Sequence, residues 1–333
     1  MKEFDIVDAH THLFRDSQEE SETFPVAGRR PRDRWGTPDQ ALAHMDRNGI
    51  SKMCFMGIMP QRYRAALKEK ARLRTCAPNS NLEDKVRTAS RGIATILRDL
   101  NSWACDVGRR YPRLLPFVLM SDDFETEGAL VQELSTRLER GAKGVKLQPG
   151  MYSFFPDSAA MWPLYERCQD WGVPIVVHSG AYPPSLSLIT HPLEFMMNPG
   201  AAPSQATGRC YTEPDNWIPV LEAFPRLVLI LAHFGSTYWD ERVELAQKYQ
   251  NVHFDTSQGF SAPDRIPVSP HRALAEEDAV RVIRRMGVGR VMFASDGPAN
   301  DFQPQLEQLL RLGFTDEERR MILAENARRI LTL

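Results

Sequence analysis

Two histidines one residue apart, His10 and His12, open the chain in Asp8-Ala9-His10-Thr11-His12. In an extended strand, residues two apart face the same side, so the two imidazoles can share one divalent ion. Alone, the pair is weak evidence, because surface histidines at this spacing are common. Other apolar runs end on residues of the same chemical kind. His178 closes Pro-Ile-Val-Val-His, His233 closes Leu-Ile-Leu-Ala-His, Lys146 lies in Gly-Val-Lys-Leu-Gln-Pro, and Asp296 precedes a Gly-Pro turn. Such runs are poor hosts for solvated charge. A buried carboxylate must be paired or bound to a cation to escape a large desolvation cost, and a metal ion supplies that cation.

Residues so far apart meet only if the elements carrying them aim at one point. Eight strand candidates of apolar, often β-branched residues fall at 6–9, 52–58, 114–119, 144–147, 174–178, 228–233, 252–255 and 290–294. Amphipathic stretches alternate with them, which argues for parallel βαβ units. Thr37-Pro38 caps one helix before Gly49 stops it, and Leu130, Leu134 and Leu138 form the stripe of another. Thr315-Asp316-Glu317-Glu318 is a capping box opening the last helix. The expected fold is a distorted (β/α)8 TIM barrel, one domain over residues 1–333, whose strand C-termini share a central cup. Two insertions interrupt it. Residues 60–112 read as a helical excursion after strand 2, and the Pro-rich residues 180–216 as a long loop after strand 5, a candidate lid.

A chain of 333 residues suits such a barrel. With 42% hydrophobic and 25% charged residues it can bury a large core, and a net charge of −2 offers no basic surface for nucleic acid or anionic membrane. The expected partner is a small-molecule substrate. Five scattered cysteines make neither a disulfide framework nor a zinc ribbon. No apolar run approaches the ~20 residues that span a bilayer, and the cytoplasm is the expected compartment.

The His-x-His opening, the strand-end residues and the closing Glu325-Asn326-Ala327-Arg328-Arg329-Ile330-Leu331 together resemble the amidohydrolase superfamily, in its amidohydrolase-related branch of hydrolases, lactonases and aromatic-acid decarboxylases. The resemblance implies that His10, His12, His178 and Asp296 bind one divalent ion, with zinc expected and manganese as the alternative. It places His233 beside the metal water and gives Asp296 a proton-shuttle role, so His233 and Asp296 are the catalytic candidates. Lys146 is expected as a free amine near Asp or substrate carboxylate; the alternative is a carboxylated bridge between two metals. The expected reaction is hydrolysis of an amide, lactone or related carbonyl compound by metal-activated water. The alternatives are non-oxidative decarboxylation of an aromatic or unsaturated acid, and an inactive metal-binding scaffold. A homodimer is compatible with the resemblance.

Other residues have softer roles. Asp8 is a candidate for steering a histidine ligand, although some decarboxylases of the branch carry glutamate at that position. Arg62 and Arg64 are candidates for a substrate carboxylate, and Tyr152, Tyr182, Tyr238, Trp239 and Asn300 for lining the pocket. His44, His191, His253 and His271 are assigned structural or solvent roles.

Overall fold

The computed structural model describes residues 4–23, 35–74, 81–124, 126–179, 211–234, 238–260 and 274–333. Tyr182, His191, His271 and the core of the proposed lid lie outside them.

Eight parallel strands follow one another in chain order: β1 Ile6–His12, β2 Ile50–Met56, β3 Leu114–Met120, β4 Gly144–Leu147, β5 Ile175–Val177, β6 Leu229–Leu231, β7 Val252–Asp255 and β8 Val291–Met292. Neighbours pair in parallel throughout. The eighth strand then meets the first. Ala9 N donates to Phe293 O at 3.0 Å, Asp296 N to His10 O at 2.8 Å and His12 N to Gly297 O at 2.7 Å. This is the (β/α)8 barrel expected from the alternating pattern.

Alternation sorts the side chains into two layers. Ile175 and Val177 join the large apolar cluster shared with the helices, whereas Val176 between them joins Val7, Cys54, Phe117, Ile230 and Met292 in a second cluster filling the barrel. Several strands are shorter than their apolar runs suggest, because residues past the ladder find other partners. Phe293 N, for instance, donates to Ile322 O of the π-helical turn Met321–Glu325 at 2.7 Å. β1 is instead longer than expected. Its register against β2 slips between Asp8 and Thr11, the mark of a bulge, which re-aims side chains near a site.

The excursion after β2 is helical, with a 3₁₀ turn Gln61–Tyr63 and helices Ala65–Arg74 and Leu82–Arg110. Polar side chains fix both helices to β3. Asn101 donates to Leu119 O at 2.9 Å and accepts from Leu119 N at 2.7 Å. The fully buried Lys70 ammonium lies 2.7 Å from Asp122 and 2.6 Å from Asp123, just past the β3 end, and Arg74 also pairs with Asp122 at 2.7 Å. The helix caps are the expected ones: Pro38 starts its helix behind Thr37, Gly49 ends it in the left-handed region, and Thr315 and Glu318 bond reciprocally. Among the described residues no helix is long and apolar enough to cross a membrane.

Two expectations follow. Lys70→Met leaves two buried carboxylates short of a counter-charge and should cost roughly 3–5 kcal/mol, read as a lower urea midpoint. An unchanged midpoint would mean that the excursion is not anchored there. His253, in β7, is depressed from 6.5 to about 4 by burial and by Arg329 and Arg290. The unfolded chain therefore binds a proton that the folded chain refuses, so this contribution is full above 6.5 and lost as pH falls toward about 4. His253→Phe should flatten the stability profile across that window by up to roughly 3 kcal/mol, measured by denaturation at several pH values.

Candidate metal centre

β1 delivers both histidines of the opening motif into the cup. His10 is fully buried and His12 is 4% exposed. His10 Nδ1 meets Asp255 Oδ2 at 2.9 Å, and His12 Nδ1 meets the Met56 carbonyl at 3.1 Å. A carbonyl or an ionised carboxylate only accepts, so each Nδ1 carries the hydrogen and, in neutral imidazole, the lone pair sits on Nε2. Both Nε2 atoms face Asp296 Oδ1, at 3.7 Å from His10 and 3.2 Å from His12. Three acceptors turned toward one another need a positive centre. The three donor atoms lie within 4.8 Å of one another, and the residues present therefore fit a divalent ion bound by His10, His12 and Asp296.

Lys146, on β4, projects its fully buried amine to 3.0 Å from His10 Nε2. Burial pulls its pKa down to about 8, against the pull of Asp255 and Asp296. Burial depresses His10 and His233 well below the ordinary histidine value, with Lys146 adding to the effect at His10 and His10 adding to it at His233. Burial alone would raise the Asp296 carboxyl, but the neighbouring His12, His10 and Lys146 outweigh it and hold Asp296 below its usual range.

His178 and His233 stand together at the ends of β5 and β6, with His178 Nδ1 3.0 Å from His233 Nε2. His178 is not in the tight three-donor group around Asp296. His233 has a left-handed backbone, φ 64°, held by its N–H on Asp255 Oδ1 at 3.0 Å. The buried Arg242 guanidinium donates to the carbonyls of His233 and Ser179, tying the two strand ends together.

The softer candidates separate. Asn300 donates to Asp296 Oδ2 at 3.0 Å. Tyr152 and Tyr238 are buried, Trp239 packs on the outer apolar layer, and Arg64 is buried with Nε on Met59 O at 3.0 Å. The Arg62 guanidinium pairs with Glu19 at 2.8 Å and Glu22 at 3.2 Å, so its charge is matched on the protein. Asp8 accepts from Ser295 Oγ at 2.6 Å and Ser295 N at 3.0 Å, which makes it a tie between β1 and the chain after β8. Burial raises it to about 7. His44 stacks on Trp35 and His253 lies in β7, the structural places expected of them.

Sequence reasoning missed Asp255, Ser257 and Arg242. Asp255 was within reach, since it closes Val-His-Phe-Asp as His178 and His233 close their own runs. With His10 and His233 it forms a second group of donors within 4.8 Å.

The geometry defines a barrel enzyme class whose strand ends gather histidines and carboxylates for a metal. Residues 7–333 match the amidohydrolase family, and the chain belongs to that metal-dependent family. No protein of curated function matches the sequence. Among solved structures, 2,6-dihydroxybenzoate decarboxylase from Rhizobium is similar over 100% of this chain and 99% of its own, at 18% identity and TM-score 0.64. 5-Carboxyvanillate decarboxylase from Sphingomonas paucimobilis is similar over 99% and 100%, at 14% identity and TM-score 0.62. Dihydroxybenzoic acid decarboxylase from Polaromonas sp. JS666, with bound manganese and the inhibitor 2-nitroresorcinol, is similar over 100% and 98%, at 15% identity and TM-score 0.62. At such identities the likeness is one of fold.

His12→Ala removes one of the three facing donors. It should weaken zinc binding by more than the roughly 10–100-fold typical of an outer-shell change, measured by competition with a chromophoric chelator. Undiminished affinity would place the ion elsewhere.

Proposed function

We propose that this chain is a metal-dependent, non-oxidative decarboxylase of an aromatic or unsaturated carboxylic acid. The observation that carries the proposal is its likeness, over nearly the full length of both chains, to decarboxylases of 2,6-dihydroxybenzoate and 5-carboxyvanillate. Burial supports it. Lys146 is fully buried, His12 is 4% and Asp296 6% exposed, so a carboxylate entering the cup loses hydration that neutral carbon dioxide does not need.

A bound divalent ion, manganese or zinc, would hold and orient the acid, and the nitrogen and oxygen donors suit both. Lys146 adds a second positive group beside the donors, and we assign it as a free amine serving a single metal. In the reaction the bond between the substrate carbon and its carboxylate carbon breaks, the electron pair stays on the substrate carbon, and carbon dioxide leaves. The carbanionic carbon then takes one proton, so the net reaction consumes one. We assign Asp296 to its transfer, while His233, whose two ring nitrogens bond Ser257 and His178, holds its neighbours in place.

Hydrolysis of an amide or lactone is the second reading, favoured by one specific observation. Asp296 is held as a carboxylate and can accept a proton from water.

Incubating the metal-loaded protein in D2O with a panel of hydroxylated benzoates and unsaturated acids should release carbon dioxide and leave one deuterium at the vacated carbon. Turnover of amides or lactones with no acid decarboxylated would overturn the proposal in favour of hydrolysis. On the accepted substrate, Asp296→Asn should lower kcat by at least about 100-fold with a nearly unchanged unfolding midpoint.

A further inference from the structure

One chain of hydrogen bonds runs from Asp255 through Ser257 and His233 to His178. Asp255 Oδ1 accepts from His233 N at 3.0 Å, from Ser257 N at 3.0 Å and from the Ser257 hydroxyl; Oδ2 meets His10 Nδ1 at 2.9 Å. With every neighbour offering it a hydrogen, Asp255 acts purely as an acceptor. Ser257 Oγ also lies 2.7 Å from His233 Nδ1. A hydroxyl has one proton. The charge-assisted bond to Asp255 claims it, so Ser257 must accept from His233 Nδ1–H. His233 Nε2 then holds a lone pair, and the hydrogen in its 3.0 Å contact with His178 Nδ1 must belong to His178. The reverse order would set the Ser257 and Asp255 oxygens against each other with no proton between them.

From this relay we infer that Ser257 is a positioning residue: acting through His233, it fixes His178 as the Nδ1–H tautomer and so puts the lone pair on His178 Nε2, the atom that would bind a metal. Asp255 thereby governs two imidazoles. It sets His10 directly and His178 through Ser257 and His233. The relay gives His178 an acceptor nitrogen, although the tight group around Asp296 does not include this residue. It concerns ligand orientation rather than the reaction, and it stands or falls apart from decarboxylation.

The test is ring-nitrogen NMR of metal-free protein labelled with 15N in its histidine rings, at pH near 8. In the unsubstituted protein His178 should show a protonated Nδ1 and an unprotonated Nε2. Ser257→Ala should abolish the single tautomer at His178 and His233 while leaving His10 unchanged, because His10 bonds to Asp255 directly. Ser257→Thr keeps the hydroxyl and should restore the original pattern. Zinc titration, with zinc as the probe, should show about 10–100-fold weaker binding for Ser257→Ala and near-normal binding for Ser257→Thr. An Nε2–H tautomer at His178 in the unsubstituted protein overturns the inference whatever the variants do. So does a folded Ser257→Ala protein with the original ring pattern and zinc affinity. Unfolding of Ser257→Ala would make Ser257 a determinant of the fold and equally overturn a role confined to the relay.

Discussion

The whole site answers to one electrostatic constraint: two carboxylates, Asp255 and Asp296, are buried in an apolar barrel and must be compensated there. Water cannot do it at this depth, and an unpaired buried charge is among the costliest features a fold can carry. The chain meets the constraint differently at each position. Asp255 is surrounded by donors from β1, the β6 end and its own following turn. Asp296 takes the amides of Gln258 and Asn300 on Oδ2, at 3.4 Å and 3.0 Å, and turns Oδ1 toward two ring nitrogens. The first carboxylate is an organiser locked in its bonds. The second faces the ring nitrogens of His10 and His12.

That division needs the backbone to leave each strand in a particular way. Both His233 and Asp296 adopt left-handed conformations, φ 64° and 54°, which are uncommon for residues with a Cβ and cost of order 1 kcal/mol or more each. Hydrogen bonds hold each one. His233 N is bound by Asp255, while its carbonyl accepts from Arg242, and Asp296 N donates to His10 O. Ser179 adds its hydroxyl to Ala232 O at 2.9 Å, so the β5 and β6 ends stay aligned past the last ladder bond. Next to Asp296, a Cβ on Gly297 would sit 2.1 Å from the Trp35 ring, so only glycine lets the turn close against that indole. The precision of the cup is therefore built outside the regular strands, in the residues that immediately follow them.

This is also why the fold was more legible than the site. Eight apolar runs separated by amphipathic stretches report a parallel barrel through burial alone, because a strand covered on both faces has almost no polar residue to disguise it. The helices declared themselves through Thr37-Pro38, Gly49 and the Thr315 to Glu318 box, whose bonds are local. His10, His12 and Asp296 came together as expected because each directly follows or ends such a run. Asp255 ended a run too, but a lone strand-end acid has no spacing partner to mark it. Ser257 and Arg242 carry no signal of their own: a serine after a strand and an arginine on a helix acquire meaning only when the fold brings them to His233. The ion pairs of Arg62 were equally hidden, since its partners Glu19 and Glu22 approach from a helix about forty residues earlier.

The unequal treatment of the two carboxylates bears on which reaction the cup can run. A proton carrier must give and take a hydrogen during turnover, and a group saturated by donors cannot do so without dismantling its surroundings. Asp255 is such a group: protonating it would disturb His10, His233 and Ser257 together. Asp296 is tied only by two amide donors on one oxygen and by ring nitrogens on the other, so its proton can change with fewer dependent bonds. Hydrolysis and decarboxylation both need this mobile proton and differ in where it goes, to a leaving group or to a carbon. The fixed half of the site can therefore be common to the two chemistries. The choice between them falls to what the cup admits beside Asp296, a carbonyl with water or a carboxylate without it.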